Sequence, residues 1–228
     1  MDDQLIQFLS QFVTADRLAL FHSILSQRTN YLTVVLEDLY QTQNTSAVVR
    51  TADCFGIQNV HVIENKHIFQ VNPDVVRGAA NWITVNRHNG QEMNTPEALG
   101  KLRREGYRIV LASPHEHDTD LENFDLAKGK TALIFGCERP GLTDWAKKEA
   151  DEFMKIPMVG FTESLNVSVA VAVTLHHLTH QLRHNSSIDW HLTDREQQKL
   201  LLEWLRVSIK RVDLLEKKFE ELHKQGIQ

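Results

Sequence analysis

The chain has 228 residues, 42% of them hydrophobic and 24% charged, which is the composition of one large folded domain, or of one domain with an appendage, and not of a disordered chain. A net charge of −5, from 30 acidic against 25 basic residues, argues on its face against a nucleic-acid binder, which usually carries a basic excess. Two distant cysteines, Cys54 and Cys137, exclude a disulfide scaffold and a cysteine-rich zinc site and suit a reducing compartment, while the lack of a basic leader and of any apolar run of about 18 residues points to a cytoplasmic chain with no membrane span.

In chain order, Leu5, Phe8, Leu9 and Phe12, then Leu18, Phe21 and Leu25 behind a cap at Thr14 or Asp16, keep helical spacing, so residues 3–28 read as two short helices. YLTVVLEDL (31–39) reads as a buried strand, the polar run 41–46 as a loop, and 47–56 as a helix closed by Gly56. Strands at 59–65 and 83–88 precede a helix over 95–106, bounded by Pro96 and Gly106. Then come a strand (107–113), an acidic loop (114–129), a strand (130–136), a helix (142–150), a strand (152–158) and a long helix (164–182). Strands alternating with helices predict an α/β fold with a mostly parallel sheet flanked by helices.

Residues 194–224 read as one long helix. Its seam of Leu201, Leu205, Val212, Leu215, Phe219 and Leu222, interrupted only by Ser208, packs onto the core or a twin subunit. The expected organisation is an N-terminal helical extension (1–30), a core (31–184) and a C-terminal helical extension (185–228).

Several familiar sites are excluded. Gly129-Lys130-Thr131 resembles the end of a P-loop, but Phe124 stands where the first glycine belongs. No GxGxxG occurs, so a dinucleotide site has no support. His176, His180 and His184 follow helical spacing, with His177 beside them, yet no carboxylate or thiol completes a metal shell; a solvated or RNA-facing histidine edge fits better. His115-Glu116-His117 lacks a second half-site, and no metal is expected.

Three segments place polar residues where a buried α/β element should be apolar. In the first, Asn44-Thr45-Ser46-Ala47-Val48-Val49-Arg50-Thr51-Ala52, Asn44 falls near a helix N-terminus. Arg50 lies among small and apolar neighbours, where it either finds an anion or carbonyls or caps a loop. In the second, LIFGCERPGL (133–142), a strand runs into a glycine-bounded turn at the carboxyl end of the sheet, where ligands of open α/β sheets bind; Glu138 is there either a ligand contact or an ordinary N-cap. In the third, Ser164, Asn166 and Ser168 collect at the start of a Val/Ala-rich helix and offer donors at the positive end of its dipole.

Together, in this order, N-x-x-A-x-x-R-T-A, F-G-x-E-x-x-G-L and I-P-M-x-G-x-x-x-S-L-N-V-S-V-A resemble the three-motif signature of the SpoU class of RNA ribose 2'-O-methyltransferases. The match covers about residues 31–183, and the helical extensions are similar to those of its TrmH-type tRNA guanosine branch. The resemblance implies a C-terminal deep trefoil knot, a homodimer, and S-adenosylmethionine bound in the knot by Gly136, Ile156 and Leu165, by main chain around Met158, and by the loop near His115. It implies tRNA as partner and transfer of a methyl group to the 2'-hydroxyl of the D-loop guanosine, position 18. Arg50 would act at the ribose, assisted by an RNA phosphate; because a guanidinium is a poor base, it at least positions phosphate and ribose. Asn44, Glu138, Ser164 and Asn166 complete the implied site. The same chemistry on ribosomal RNA or another tRNA nucleotide, or a non-catalytic RNA-binding module, are the alternatives.

The chain departs from the family pattern at three places. Cys137 replaces an Asn common in relatives, Pro140 stands where tRNA-type relatives often place a large residue, and His180 and His184 replace basic residues, with Arg183 remaining. The negative charge is local: residues 112–125 hold Glu116, Asp118, Asp120, Glu122 and Asp125 and no base, while acids and bases balance elsewhere. The expected surface is dipolar, with Arg17, Arg28, Arg50 and Arg183 facing RNA and the acidic loop turned away.

Overall fold

Every residue of β1 (Leu32–Glu37) is buried, Thr33 and Glu37 along with four aliphatic side chains, as expected of a parallel strand covered on both faces. The computed structural model describes residues 2–113, 119–137 and 141–224. The chain divides into two compact units, one formed by residues 29–190 and the other by the two terminal segments, 1–28 and 191–228.

In the larger unit β1 is followed by α1 (Thr42–Cys54), β2 (Asn59–Ile63), α2 (Pro73–Val76), β3 (Thr84–His88), α3 (Thr95–Arg104), β4 (Arg108–Ala112) and β5 (Thr119–Asp120). It continues with β6 (Thr131–Gly136), α4 (Asp144–Lys148), β7 (Glu152–Lys155) and α5 (Val167–His184). The strands form one sheet in the order β3-β2-β1-β6-β4-β7-β5, and every pairing is parallel. The alternating α/β reading and its parallel sheet are therefore found.

Side chains leave each strand alternately on opposite faces. Val34, Leu36, Val60, Val62, Val110, Leu133 and Phe135 pack with Val48, Val49 and Ala52 of α1 and with Val171, Leu175 and Leu178 of α5. On the other face Val35, Ile63, Ile109, Leu111, Ala132 and Ile134 meet Ala98, Leu99 and Leu102 of α3 and Ala146 of α4. Registers Glu37↔Gly136 and Ala112↔Met154 bring the carboxyl ends of β1 and β6, and of β4 and β7, level with each other.

Several boundaries differ from the sequence reading. α1 begins at Thr42, so the expected loop 41–46 forms its first turn. Gln41, its N-cap, makes no side-chain cap, whereas Thr45 and Ser46 donate their hydroxyls back to the carbonyls of Gln41 and Thr42 at 3.1 and 2.6 Å; the polar run thus turns inward on its own helix. α5 begins at Val167, with Asn166 as N-cap. The described part of the acidic loop holds β5 and two 3-10 turns, Leu121–Asn123 and Leu126–Lys128, the second capped by Asp125. The short helix α2 and a 3-10 turn at Ala79–Asn81 were not foreseen.

β2 and β3 carry a buried imidazole pair. His61 Nδ1 lies 3.1 Å from His88 Nε2, with the rings stacked at 5.4 Å. Burial, followed by the charges of His88 and Lys101, pushes the His61 pKa down to about 3.

The smaller unit is helical: Asp2–Ser10, Ala15–Leu25, Asp194–Ser208 and Val212–Lys224. Thr14 caps the second helix, and Thr193 with Glu196 forms a capping box on the third. Leu9, Phe21, Leu201, Trp204 and Leu205 are buried. The expected single helix over 194–224 is broken. Ile209 is extended and Arg211 is left-handed (φ 55°), so the last segment starts a new helix, tied back by Arg206 to Glu216 at 2.7 Å.

Candidate active site

The ends of β4, β6 and β7 and the start of α5 enclose a cavity of about 210 Å³. Gly136 lines it, and the backbone of Gly141 and Leu142 lies close against Gly136. A side chain there would place Cβ 2.8 Å from both the Gly141 carbonyl carbon and the Leu142 nitrogen. Gly141 takes φ 90°, and Cys137 Sγ lies 3.6 Å from its carbonyl. Phe135, Met154, Ile156, Met158, Leu165 and Val167 give apolar walls, and Ser113, Ser164, Lys147 and Lys155 add a few polar groups. Such a lining fits a nucleoside-type cofactor with flat apolar faces and few anchors. Gly136, Ile156, Met158 and Leu165, picked out by motif, all line this cavity. His115 and Glu138 lie outside the described residues.

Thr143, which follows the cavity-lining Gly141 and Leu142, is anchored by Glu37, which is 1% exposed. Its carboxylate accepts from the Thr143 backbone N–H (2.9 Å), the Thr143 hydroxyl (2.8 Å) and the Thr95 hydroxyl (2.6 Å). Thr143 also caps α4 through Ala146 N–H. Motif reading passed over Glu37, Lys147 and Lys155; the register of Glu37 with Gly136 is the signal that finds the first.

Beside the cavity-lining Leu165 and Val167, two asparagines at helix N-termini meet. Asn166 Nδ2 donates to Asn44 Oδ1 at 3.1 Å, and Asn44 Nδ2 donates to Gln41 Oε1 at 2.7 Å. Asn166 Oδ1 accepts from the Ser168 N–H and hydroxyl at 2.9 and 2.6 Å. Ser164 lines the cavity on the same connection. Arg50 stands apart from this pair. It is exposed, because the helical period turns Val48, Val49 and Ala52 inward, and among the described residues it has no hydrogen-bond or ion-pair partner. Its exposure fits a place on the expected basic rim, and no carbonyl or loop cap among the described residues holds it.

The expected basic rim is only partly at the surface. Arg17 is exposed and stacks over Phe21 at 5.3 Å. Arg28 is 2% exposed under the Trp204 ring, at 5.4 Å, so it offers no guanidinium to a surface. Arg183 donates to the Phe55 carbonyl at 2.9 Å, closing the C-terminus of α1, and packs on Trp190; burial lowers its pKa. The histidines of α5 pair locally: His177 with Gln181, and His180 stacked on His184 at 4.2 Å. Among the described residues no group of three metal-ligating side chains assembles. Asp120 pairs with the cavity-lining Lys155 at 3.4 Å, while Glu116 and Asp118 of the same acidic loop lie outside the described residues.

Comparison with known proteins agrees with this geometry. Residues 31–176 match the SpoU rRNA Methylase family. The tRNA (guanosine(18)-2'-O)-methyltransferase of Borreliella burgdorferi is 41% identical over 219 residues, covering 95% of this chain and 98% of that one. The crystal structure of an A. aeolicus TrmH/SpoU tRNA modifying enzyme superposes with a TM-score of 0.75 at 25% identity, covering 86% and 98% of the two chains. The SpoU methyltransferase AviRb from Streptomyces viridochromogenes, solved with AdoMet, shares the fold alone, with a TM-score of 0.59 at 24% identity over 72% of this chain and 62% of that one. With its signature matched over most of its length and its sheet shared with these proteins, the chain belongs to the SpoU rRNA Methylase family.

Proposed function

We propose that the chain is an S-adenosylmethionine-dependent tRNA 2'-O-methyltransferase acting on guanosine 18. The observation that carries this is the Asn44–Asn166 hydrogen bond, with Asn166 lying between the cavity-lining Leu165 and Val167, in a chain 41% identical to an enzyme of that name. When bound, the sulfonium cofactor supplies an activated methyl group. The protein's task is then positioning and charge control. The apolar walls and Gly136 hold the cofactor and exclude water, and Asn44, Ser164 and Asn166 present amide and hydroxyl groups to the ribose. Arg50, outward on α1, positions an RNA phosphate and the ribose, and the 2'-hydroxyl gives up its proton to solvent water as its oxygen takes the methyl group. Glu138 and His115 are assigned to the same site by motif, and Arg17 to RNA contact.

The proposal includes the knot and a homodimer. Val169 and Val173 leave an apolar stripe on α5, and Phe161 is fully exposed before it, a surface that a second copy would cover. A cytoplasmic setting goes with the tRNA substrate; no described helix is long and apolar enough to cross a membrane.

The test is methyl transfer from labelled S-adenosylmethionine to unmodified tRNA, with ribose methylation mapped by nucleotide. Methylation at guanosine 18 is expected. Methylation confined to ribosomal RNA or another tRNA nucleotide, or none at all, overturns the assignment.

A further inference from the structure

A second, narrow cleft opens beside the cofactor cavity. Leu39, Tyr40, Gln41 and Asn44 line it, together with Cys137 and Val167, which also wall the cavity. Tyr40 is 53% exposed there, although a ring of this size is normally well covered. Its position is nevertheless fixed. Asp38, left-handed at φ 56°, turns the chain out of β1 and accepts from the Lys66 and His67 backbone N–H groups at 2.7 and 2.9 Å. The same carboxylate faces His67 Nδ1 at 3.4 Å, and the His67 ring lies 5.6 Å from that of Tyr40. The phenol oxygen accepts from Gln41 Nε2 at 3.1 Å, and Gln41 in turn accepts from Asn44. A polar chain thus ties an outward aromatic face to the residues proposed to meet the ribose.

We infer that Tyr40 is a stacking platform for the nucleobase of the RNA nucleotide being methylated, a role that rests on the ribose methyl transfer proposed above. A ribose whose 2'-hydroxyl reaches the cavity carries its base one glycosidic bond away, at the lip where Tyr40 stands. Unstacked RNA bases are held on aromatic faces, and such stacking tolerates any base. Tyr40 therefore supplies affinity, and the identity of the base is read elsewhere.

The test compares Tyr40→Ala, Tyr40→Phe and Tyr40→Trp with the unaltered protein, in methyl transfer to unmodified tRNA and in calorimetric titration with S-adenosylmethionine. Tyr40→Ala is expected to raise KM for the RNA about tenfold to a hundredfold, with cofactor affinity unchanged, while Tyr40→Phe and Tyr40→Trp keep KM near that of the unaltered protein. Equal KM for Tyr40→Ala and the unaltered protein overturns the inference. So does a Tyr40→Phe loss as large as that of Tyr40→Ala, which would make the phenol bond and not the ring face the source of the effect. Cofactor binding weakened in parallel with RNA binding overturns it as well. An unaltered protein that methylates no RNA removes the parent reading and this one together, whereas an active protein indifferent to Tyr40 removes only the stack.

Discussion

The Glu37 carboxylate, buried at the end of β1, takes both the backbone N–H and the hydroxyl of Thr143. One side chain of the central strand thereby sets where α4 begins, and with it the Gly141–Leu142 wall of the cavity. Glu37→Ala leaves those donors and the Thr95 hydroxyl without their acceptor. The expected cost is about 1–3 kcal/mol in urea unfolding, accompanied by weaker S-adenosylmethionine binding in calorimetry.

Gly136→Ala should be more damaging to ligand binding than its size suggests. The added methyl meets backbone at 2.8 Å on two sides, and backbone in a turn does not yield as a flexible side chain would. Loss of calorimetric cofactor binding is expected, with destabilisation of about 1–3 kcal/mol.

Asn44 and Asn166 can be separated by a double-mutant cycle. Asn166→Ala removes the α5 N-cap as well as the inter-helix bond and should lower stability by about 1 kcal/mol. Asn44→Ala should leave the melting temperature nearly unchanged while methyl transfer falls. A coupling energy of about 1 kcal/mol in the transfer rate is expected if the bond is used as a unit.

Arg50→Ala and Arg50→Lys should melt like the unaltered protein, because the side chain is exposed. Methyl transfer should drop on the order of 10²-fold in both, since a lysine ammonium does not reproduce the planar fork of a guanidinium.

The His61–His88 pair makes stability acid-sensitive. The folded state holds His61 neutral down to about pH 3, whereas the unfolded chain protonates near its ordinary value of 6.5. The unfolded state therefore binds more protons in that window. The contribution is complete above pH 6.5 and is lost as pH falls, with a slope approaching about 1.4 kcal/mol per pH unit. Urea unfolding between pH 6.5 and 5 should show the slope, and His61→Gln should flatten it.

Much of the sheet was legible because β1, β2, β4 and β6 are short segments rich in Val, Ile and Leu and broken by loops, as a parallel sheet favours. The cavity residues were legible through motif. What escaped depended on direction. Arg50 has apolar neighbours in sequence, yet helical period turns those neighbours inward and Arg50 outward, where the expected rim puts it. Arg28 read as a surface base, yet Trp204, far along the chain, covers it. Glu37 looks like any strand end until its register with Gly136 is known. The helix break at Ile209–Arg211 carries no glycine or proline to announce it.

The two ends of the larger unit are joined to each other: the Thr29 hydroxyl donates to the Trp190 carbonyl. Residues 29–190 thus form a closed loop of chain inserted into a helical unit whose two halves lie on either side of it in sequence. On the ribosome the halves are made at different times. The first two helices emerge early, but Trp204 and Leu205, which complete their core, are translated only after the whole sheet. During synthesis Phe21 and Leu9 therefore wait without those partners until residues 29–190 have been made.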